Sequence, residues 1–125
     1  MRQREKTIEE YIAAYNTFAV QKMIENFSDE IVFENIQAGE VTMRLEGLKA
    51  FEKQAEEVKG LFSERQQTII KIIHREAETE IEINYFGVIA KDLPNGMKKG
   101  QEIKLKGKSI FEFKGSKIVK LIDIS

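Results

Sequence analysis

The feature that most constrains this 125-residue chain is an alternation of residue type running through its second half. Between Glu76 and Ala90 one parity carries Thr79, Ile81, Ile83, Tyr85, Gly87 and Ile89, and the other carries Glu76, Glu78, Glu80, Glu82 and Asn84. Successive side chains of a strand point to opposite faces, so a period of two predicts one long strand with a dry face and a charged face. The same period recurs over Glu64–His74, Glu102–Phe113 and Lys117–Ser125. Asp92-Leu93-Pro94-Asn95-Gly96 and the Lys114-Gly115-Ser116-Lys117 hairpin loop punctuate these runs. Long strands joined by short turns predict an antiparallel meander.

The first half switches to helical spacing. Thr7-Ile8-Glu9-Glu10 reads as a capping box, with hydroxyl and carboxylate satisfying the free backbone donors of a helix start. Ile8, Tyr11, Ile12 and Tyr15 then form one apolar stripe, Asn16-Thr17 interrupts it, and Val20, Met23, Ile24 and Phe27 continue it as a second, short helix. A third helix is predicted from Leu48 to Lys59, with Leu48, Phe51, Ala55 and Val58 inward and Gly60 as its C-cap. Glu30–Ile36 and Val41–Leu45 suit two short strands around Ala38-Gly39. Helices first and a long sheet afterwards predict an α+β fold in a single domain, residues 1–125.

Composition narrows the function classes. Twenty Lys and Arg oppose twenty-one Asp and Glu, a net charge of −1, which removes the electrostatic reason to expect nucleic acid or an anionic membrane. Without cysteine there is no disulfide, thiolate metal site or cysteine nucleophile, and one histidine, His74, builds no multi-histidine metal site. The glycines are dispersed singly, so no phosphate-binding loop appears. Neither a metal nor another cofactor is expected. No apolar run approaches the roughly 18 residues of a membrane span, and no signal-type core follows Met1, so a cytoplasmic setting is expected.

Parity also assigns the faces. Toward the helices it places the Thr79–Ile89 set, Ile103, Leu105, Gly107, Ser109, Phe111 and Phe113, then Val119, Leu121, Asp123 and Ser125. On the preceding strand His74 has two readings, inward with Thr68, Ile70 and Ile72 as a second titrating group, or an ordinary surface histidine beside the Arg75-Glu76 turn. The outer face carries acidic and basic stripes that pair across strands, with Phe86, Val88, Ile110, Ile118, Ile122 and Ile124 among them. Six large apolar side chains on a wet face predict that a second copy of the chain covers part of it, giving a homodimer.

Glu10-Tyr11-Ile12-Ala13-Ala14-Tyr15, then Met23 to Asn35, then Lys106 to Phe113 and Lys117 to Asp123, resemble the nuclear transport factor 2-like superfamily, which includes ketosteroid isomerase and the SnoaL-like polyketide cyclases. The resemblance implies a cone-shaped, curved antiparallel sheet with the three helices on its concave face. It also implies positions for chemistry. Tyr11 falls where the isomerases place the tyrosine that donates to a developing oxyanion, and Ser109 where they place a second, acidic donor. Their general base position resembles Asn35, whose amide cannot take a proton near neutral pH, so the isomerase mechanism fails at its first step. Asp123 resembles the acid/base aspartate of the polyketide cyclases, and burial there should raise its pKa. Limonene-epoxide-hydrolase-like water activation needs an Asp-Arg-Asp group, which Arg44 and Arg65 do not assemble.

The resulting expectation is a small-molecule-binding domain with a mostly apolar pocket lined by Tyr11, Tyr15, Phe33, Asn35, Phe51, Tyr85, Ser109, Phe111 and Asp123. The ligand would be small, apolar and equipped with a carbonyl or hydroxyl. Any reaction would be cofactor-free proton transfer of the isomerase, cyclase or dehydratase type, with Asp123 as acid/base and Tyr11 polarising an oxygen. The alternative is a non-catalytic interaction or assembly module that dimerises through its sheet face.

Overall fold

A computed structural model describes residues 2–125. The chain runs α1 (Arg2–Asn16), α2 (Val20–Met23), β1 (Phe27–Gln37), β2 (Glu40–Glu46), α3 (Leu48–Lys59), β3 (Phe62–His74), β4 (Glu78–Ile89), β5 (Glu102–Lys114) and β6 (Lys117–Ile124). The six strands form one sheet in the order β2-β1-β6-β5-β4-β3, with α1 and α3 against its inner face. The α+β class and the curved sheet carrying three helices are as expected. The sheet is not antiparallel throughout, however. β6 returns from the meander to lie between β5 and β1, and it pairs with β1 in parallel, Phe33 opposite Leu121 and Asn35 opposite Asp123. Strand β1 runs in the direction of β6, and its hairpin partner β2 occupies only its other edge.

The core lies where α1 and α3 meet the inner face. Ile8, Ile31, Ile81, Phe111, Ile118 and Leu121 are fully covered, each burial worth roughly 1.5–3 kcal/mol. Aromatic rings link the layers: Tyr11 stacks on Phe27 at 5.5 Å and meets Phe111 edge-on at 5.7 Å, while Phe51 of α3 contacts Phe27 and Phe33.

Local signals were overridden in four places. Helix α1 begins at Arg2, so Thr7 lies inside it and is buried rather than capping. The first turn is held instead by Arg4, whose guanidinium donates to the carbonyls of Arg75 and Glu76 at 2.7 and 2.5 Å and sits 5.2 Å from the Phe113 ring. Phe27 opens β1 rather than closing the second helix. A β-bulge between Ile69 and Lys71 shifts the parity of β3, so Arg65 and Gln67 face inward and Ile70 is 54% exposed, with Thr68 also outward. A second bulge at Glu112/Phe113 leaves Val119 without a partner and turns Ile118 into the core against Phe113. One inserted residue reverses every side chain beyond it.

Candidate functional site

The curvature of the strands leaves a cavity of about 430 Å³ between the inner face, α1 and α3. Its walls are mainly apolar, including Phe33, Leu45, Phe51, Val58, Phe62 and Ile83, and its rim reaches exposed residues such as Gln37, Thr42 and Leu105. Gly87 helps make the space. A Cβ there would stand 3.1 Å from the rings of both Phe62 and Tyr85, so a side chain at this position would push these rings a few tenths of an ångström from where they meet over β4.

Polar groups converge on one side. Asp123 faces Ser109 across the β5–β6 ladder, and the Ser109 hydroxyl donates to its Oδ1 at 2.7 Å. Burial raises the Asp123 carboxyl from 3.8 to about 6, and the Ser109 hydrogen bond partly opposes that rise. Tyr11 is raised well above the ordinary tyrosine range, first by burial and then by the nearby Asp123 charge. The hydroxyls of Tyr15 and Tyr85 are hydrogen-bonded at 3.0 Å, and burial raises both. The charge of Asp123 acts on all three tyrosines, which marks the four residues as one electrostatic cluster.

Behind this cluster lies a cation. Arg65 is 3% exposed and none of the ion pairs among the described residues includes it. Its guanidinium rests 3.7 Å from the centre of the Tyr15 ring and 4.6 Å from that of Phe18. Its Nε donates to the Tyr15 carbonyl at 2.9 Å. α1 has no basic residue in its own last turn, so Arg65 supplies from β3 the positive charge that a helix C-terminus favours. Phe18 reaches its position through a left-handed backbone, φ 60°, as the C′ residue of a Schellman motif closed by Ala19 N–H to the Ala14 carbonyl at 2.8 Å.

Of the nine residues expected at the pocket, Tyr11, Tyr15, Phe33, Asn35, Phe51, Tyr85, Ser109 and Asp123 line the cavity. Phe111 does not. It stands in the core against Tyr11, with no exposure: it shares the inward face with Ser109 but lies two residues further along β5, where α1 covers the sheet. Asn35 lies beside Asp123 and donates to the Thr42 hydroxyl at 2.9 Å. His74 faces α1 outside the cavity, bonded to the Thr79 hydroxyl at 2.9 Å and to Glu5 at 3.2 Å. Arg44 points outward and pairs with Glu34. Gln67 and Arg65 were not anticipated. The doublets Ile69-Ile70 and Ile72-Ile73, each breaking strict alternation, were the available sign of the bulge that turns them inward. Among the described residues no three acidic or histidine side chains gather as a metal site, and no helix is long and apolar enough to cross a membrane.

A family model described as the SnoaL-like domain matches residues 8–121. No curated protein matches the sequence significantly. Among solved structures, the chain is similar to a candidate polyketide cyclase from Xanthomonas campestris pv. campestris, at 16% identity and a TM-score of 0.84 over 99% of this chain and 90% of that one. It is similar to an epoxide hydrolase of M. tuberculosis, at 15% identity and a TM-score of 0.79 over 99% and 83% of the two chains. A ketosteroid isomerase-like fold from Catenulispora acidiphila, solved in complex with trimethylamine, matches at 15% identity and a TM-score of 0.77 over 94% and 82%. At these identities the likeness is one of fold.

Proposed function

The chain belongs to the SnoaL-like domain family, within the nuclear transport factor 2-like superfamily, and on that premise we propose that it binds a small, mostly apolar molecule in its conical cavity and acts on it by cofactor-free proton transfer. The observation that carries the reading is the placement of the Asp123 carboxyl, held by Ser109, in the same apolar cavity as the buried Tyr11, where burial pushes its pKa up to about 6. A carboxylate titrating near 6 is a competent base at neutral pH and, once protonated, a competent acid. Asp123 takes a proton from the substrate and returns it at a second position, while the Tyr11 hydroxyl donates to the oxygen on which charge develops. The net change is an isomerisation, cyclisation or dehydration. Ketosteroid isomerase activity is not part of the proposal, because the Asn35 amide cannot serve as base. A cytoplasmic setting accompanies it, in keeping with a cysteine-free chain.

Binding is tested with 8-anilinonaphthalene-1-sulfonate, whose fluorescence should rise with the native protein and fall when flat steroid- or polyketide-like compounds compete. Once a substrate is in hand, Tyr11→Phe and Asp123→Asn should each slow turnover by about 10²-fold or more. Unchanged turnover in both variants refutes the mechanism.

The outer sheet face supports a second reading, an interaction module that self-associates. Phe86, Val88, Ile110, Ile122 and Ile124 remain there after Ile118 is removed from the set, beside the exposed Ile70. A homodimer through this face is compatible with either role of the cavity. A monomer mass in sedimentation at micromolar concentration overturns it.

A further inference from the structure

Gln67 carries a buried side-chain acceptor without a partner at the polar side of the cavity. The residue is 7% exposed, lines the cavity, and stands opposite Tyr85 in the β3–β4 register. Its backbone is satisfied on both sides by one side chain of α1: the Gln67 N–H donates to Asn16 Oδ1 at 2.8 Å, and Asn16 Nδ2 donates to the Gln67 carbonyl at 3.2 Å. That clamp fixes the inward direction of the side chain. Yet Gln67 Oε1 is the one buried side-chain nitrogen or oxygen among the described residues without a hydrogen-bond partner. The neighbouring polar groups are matched, Asp123 by Ser109, Asn35 by Thr42 and Tyr15 by Tyr85. A buried acceptor left unpaired destabilises the protein, and native structures hold few of them.

The surroundings say what would pair with it. A ligand hydroxyl is both donor and acceptor, whereas a ketone oxygen only accepts. The Tyr85 hydroxyl can donate to either kind of oxygen, and its own oxygen already accepts from Tyr15, so the unpaired acceptor beside it is Gln67 Oε1. Only an acceptor can reward the extra proton of the hydroxyl. The terminal torsion of a glutamine is broad, so the carbonyl can swing toward the cavity while the clamped backbone stays in place.

We propose that Gln67 makes the cavity selective for a hydroxylated ligand over the corresponding ketone, its side-chain carbonyl accepting the ligand O–H while the Tyr85 hydroxyl, which itself accepts from Tyr15, donates to the same oxygen. The inference rests on the small-molecule reading above and narrows it, since that reading leaves carbonyl and hydroxyl open. Gln67 is in this account a specificity-determining residue and takes no part in proton transfer.

The test compares 9-fluorenol with 9-fluorenone, a flat pair of nearly the same shape, as competitors of 8-anilinonaphthalene-1-sulfonate. The wild-type protein should bind the alcohol about tenfold or more tightly than the ketone, the scale set by leaving a buried acceptor unpaired. In Gln67→Met, which keeps side-chain length and removes the acceptor, the ratio should fall to near one. A wild-type ratio near one, or a preference for the alcohol that Gln67→Met retains in full, overturns the inference while dye binding keeps the pocket. Failure of the dye to bind the wild-type protein overturns the pocket reading, and this inference with it. Should Gln67→Met not fold, the position of the ligand oxygen in a crystal structure of the wild-type complex decides, and an oxygen within hydrogen-bond distance of Gln67 Oε1 supports the inference. A crystal structure of the 9-fluorenol complex with the ligand oxygen more than about 4 Å from Gln67 Oε1 would also refute it.

Discussion

Replacing Asp123 by Asn should make the protein more stable, and only above a particular pH. In the folded chain the carboxyl titrates at about 6 rather than 3.8 because burial disfavours its charged form. Below pH 3.8 the group is protonated in both folded and unfolded chains and favours neither. As the pH rises from about 4 to about 7 the unfolded chain releases this proton first, so folding stability falls through that window. The rise from 3.8 to about 6 corresponds to a loss of about 3 kcal/mol by pH 8. This is an upper figure, because water entering the cavity solvates the carboxylate. Asparagine removes the charge and keeps an oxygen to accept from Ser109. Urea unfolding of wild type and Asp123→Asn at one-unit steps from pH 4 to pH 8 measures the difference directly. The two should have similar stabilities at pH 4, and the variant should lead by up to about 3 kcal/mol at pH 8, with most of the change complete by pH 7. A difference that stays flat across the series shows that burial does not control this carboxyl group, and the mechanistic role given to it falls as well.

Three further outcomes follow from the packing. Arg65→Ala should lower stability by about 3 kcal/mol in thermal or urea unfolding, since it removes a buried stem, two aromatic contacts and the bond to the Tyr15 carbonyl. Arg65→Lys should recover less than half of that, because an ammonium does not stack on a ring as a planar guanidinium does, and full recovery would count against the stacking. Gly107→Ala should cost about 1–3 kcal/mol, because its Cβ would come within 2.9 Å of the Ile124 carbonyl, and a melting temperature equal to wild type would show that β5 and β6 separate more readily than described.

Much of this architecture is written in local pattern. Helix α3 spans the same Leu48 to Lys59 that its apolar spacing marks, and the inward residues of β4 from Thr79 to Ile89 match the alternation one for one. What the pattern hides is any event that shifts phase by one residue. The bulges in β3 and at the start of β6 do this, so Arg65, Gln67 and Ile118 change sides although nothing in their own identity announces it. The start of α1 is hidden for another reason: it is settled by Arg4 reaching carbonyls more than seventy positions away, a contact no local window contains. Tyr11 and Asp123 were within reach because both lie on segments whose phase is undisturbed. Gln67 was out of reach because its significance depends on a missing hydrogen-bond partner, which exists only in three dimensions.

The parallel seam between β1 and β6 has a bearing on synthesis. β2 ends at Glu46 and β6 begins at Lys117, and β6 is the neighbour on β1's far side. At translation rates of about 5–20 residues per second, the nascent hairpin waits roughly four to fourteen seconds with that edge unfilled. During the wait its backbone groups, and the apolar side chains beside them, are available to other chains. Slowing the ribosome lengthens this window, so yield of soluble product should respond more to translation speed and chaperone supply than to the finished domain's stability.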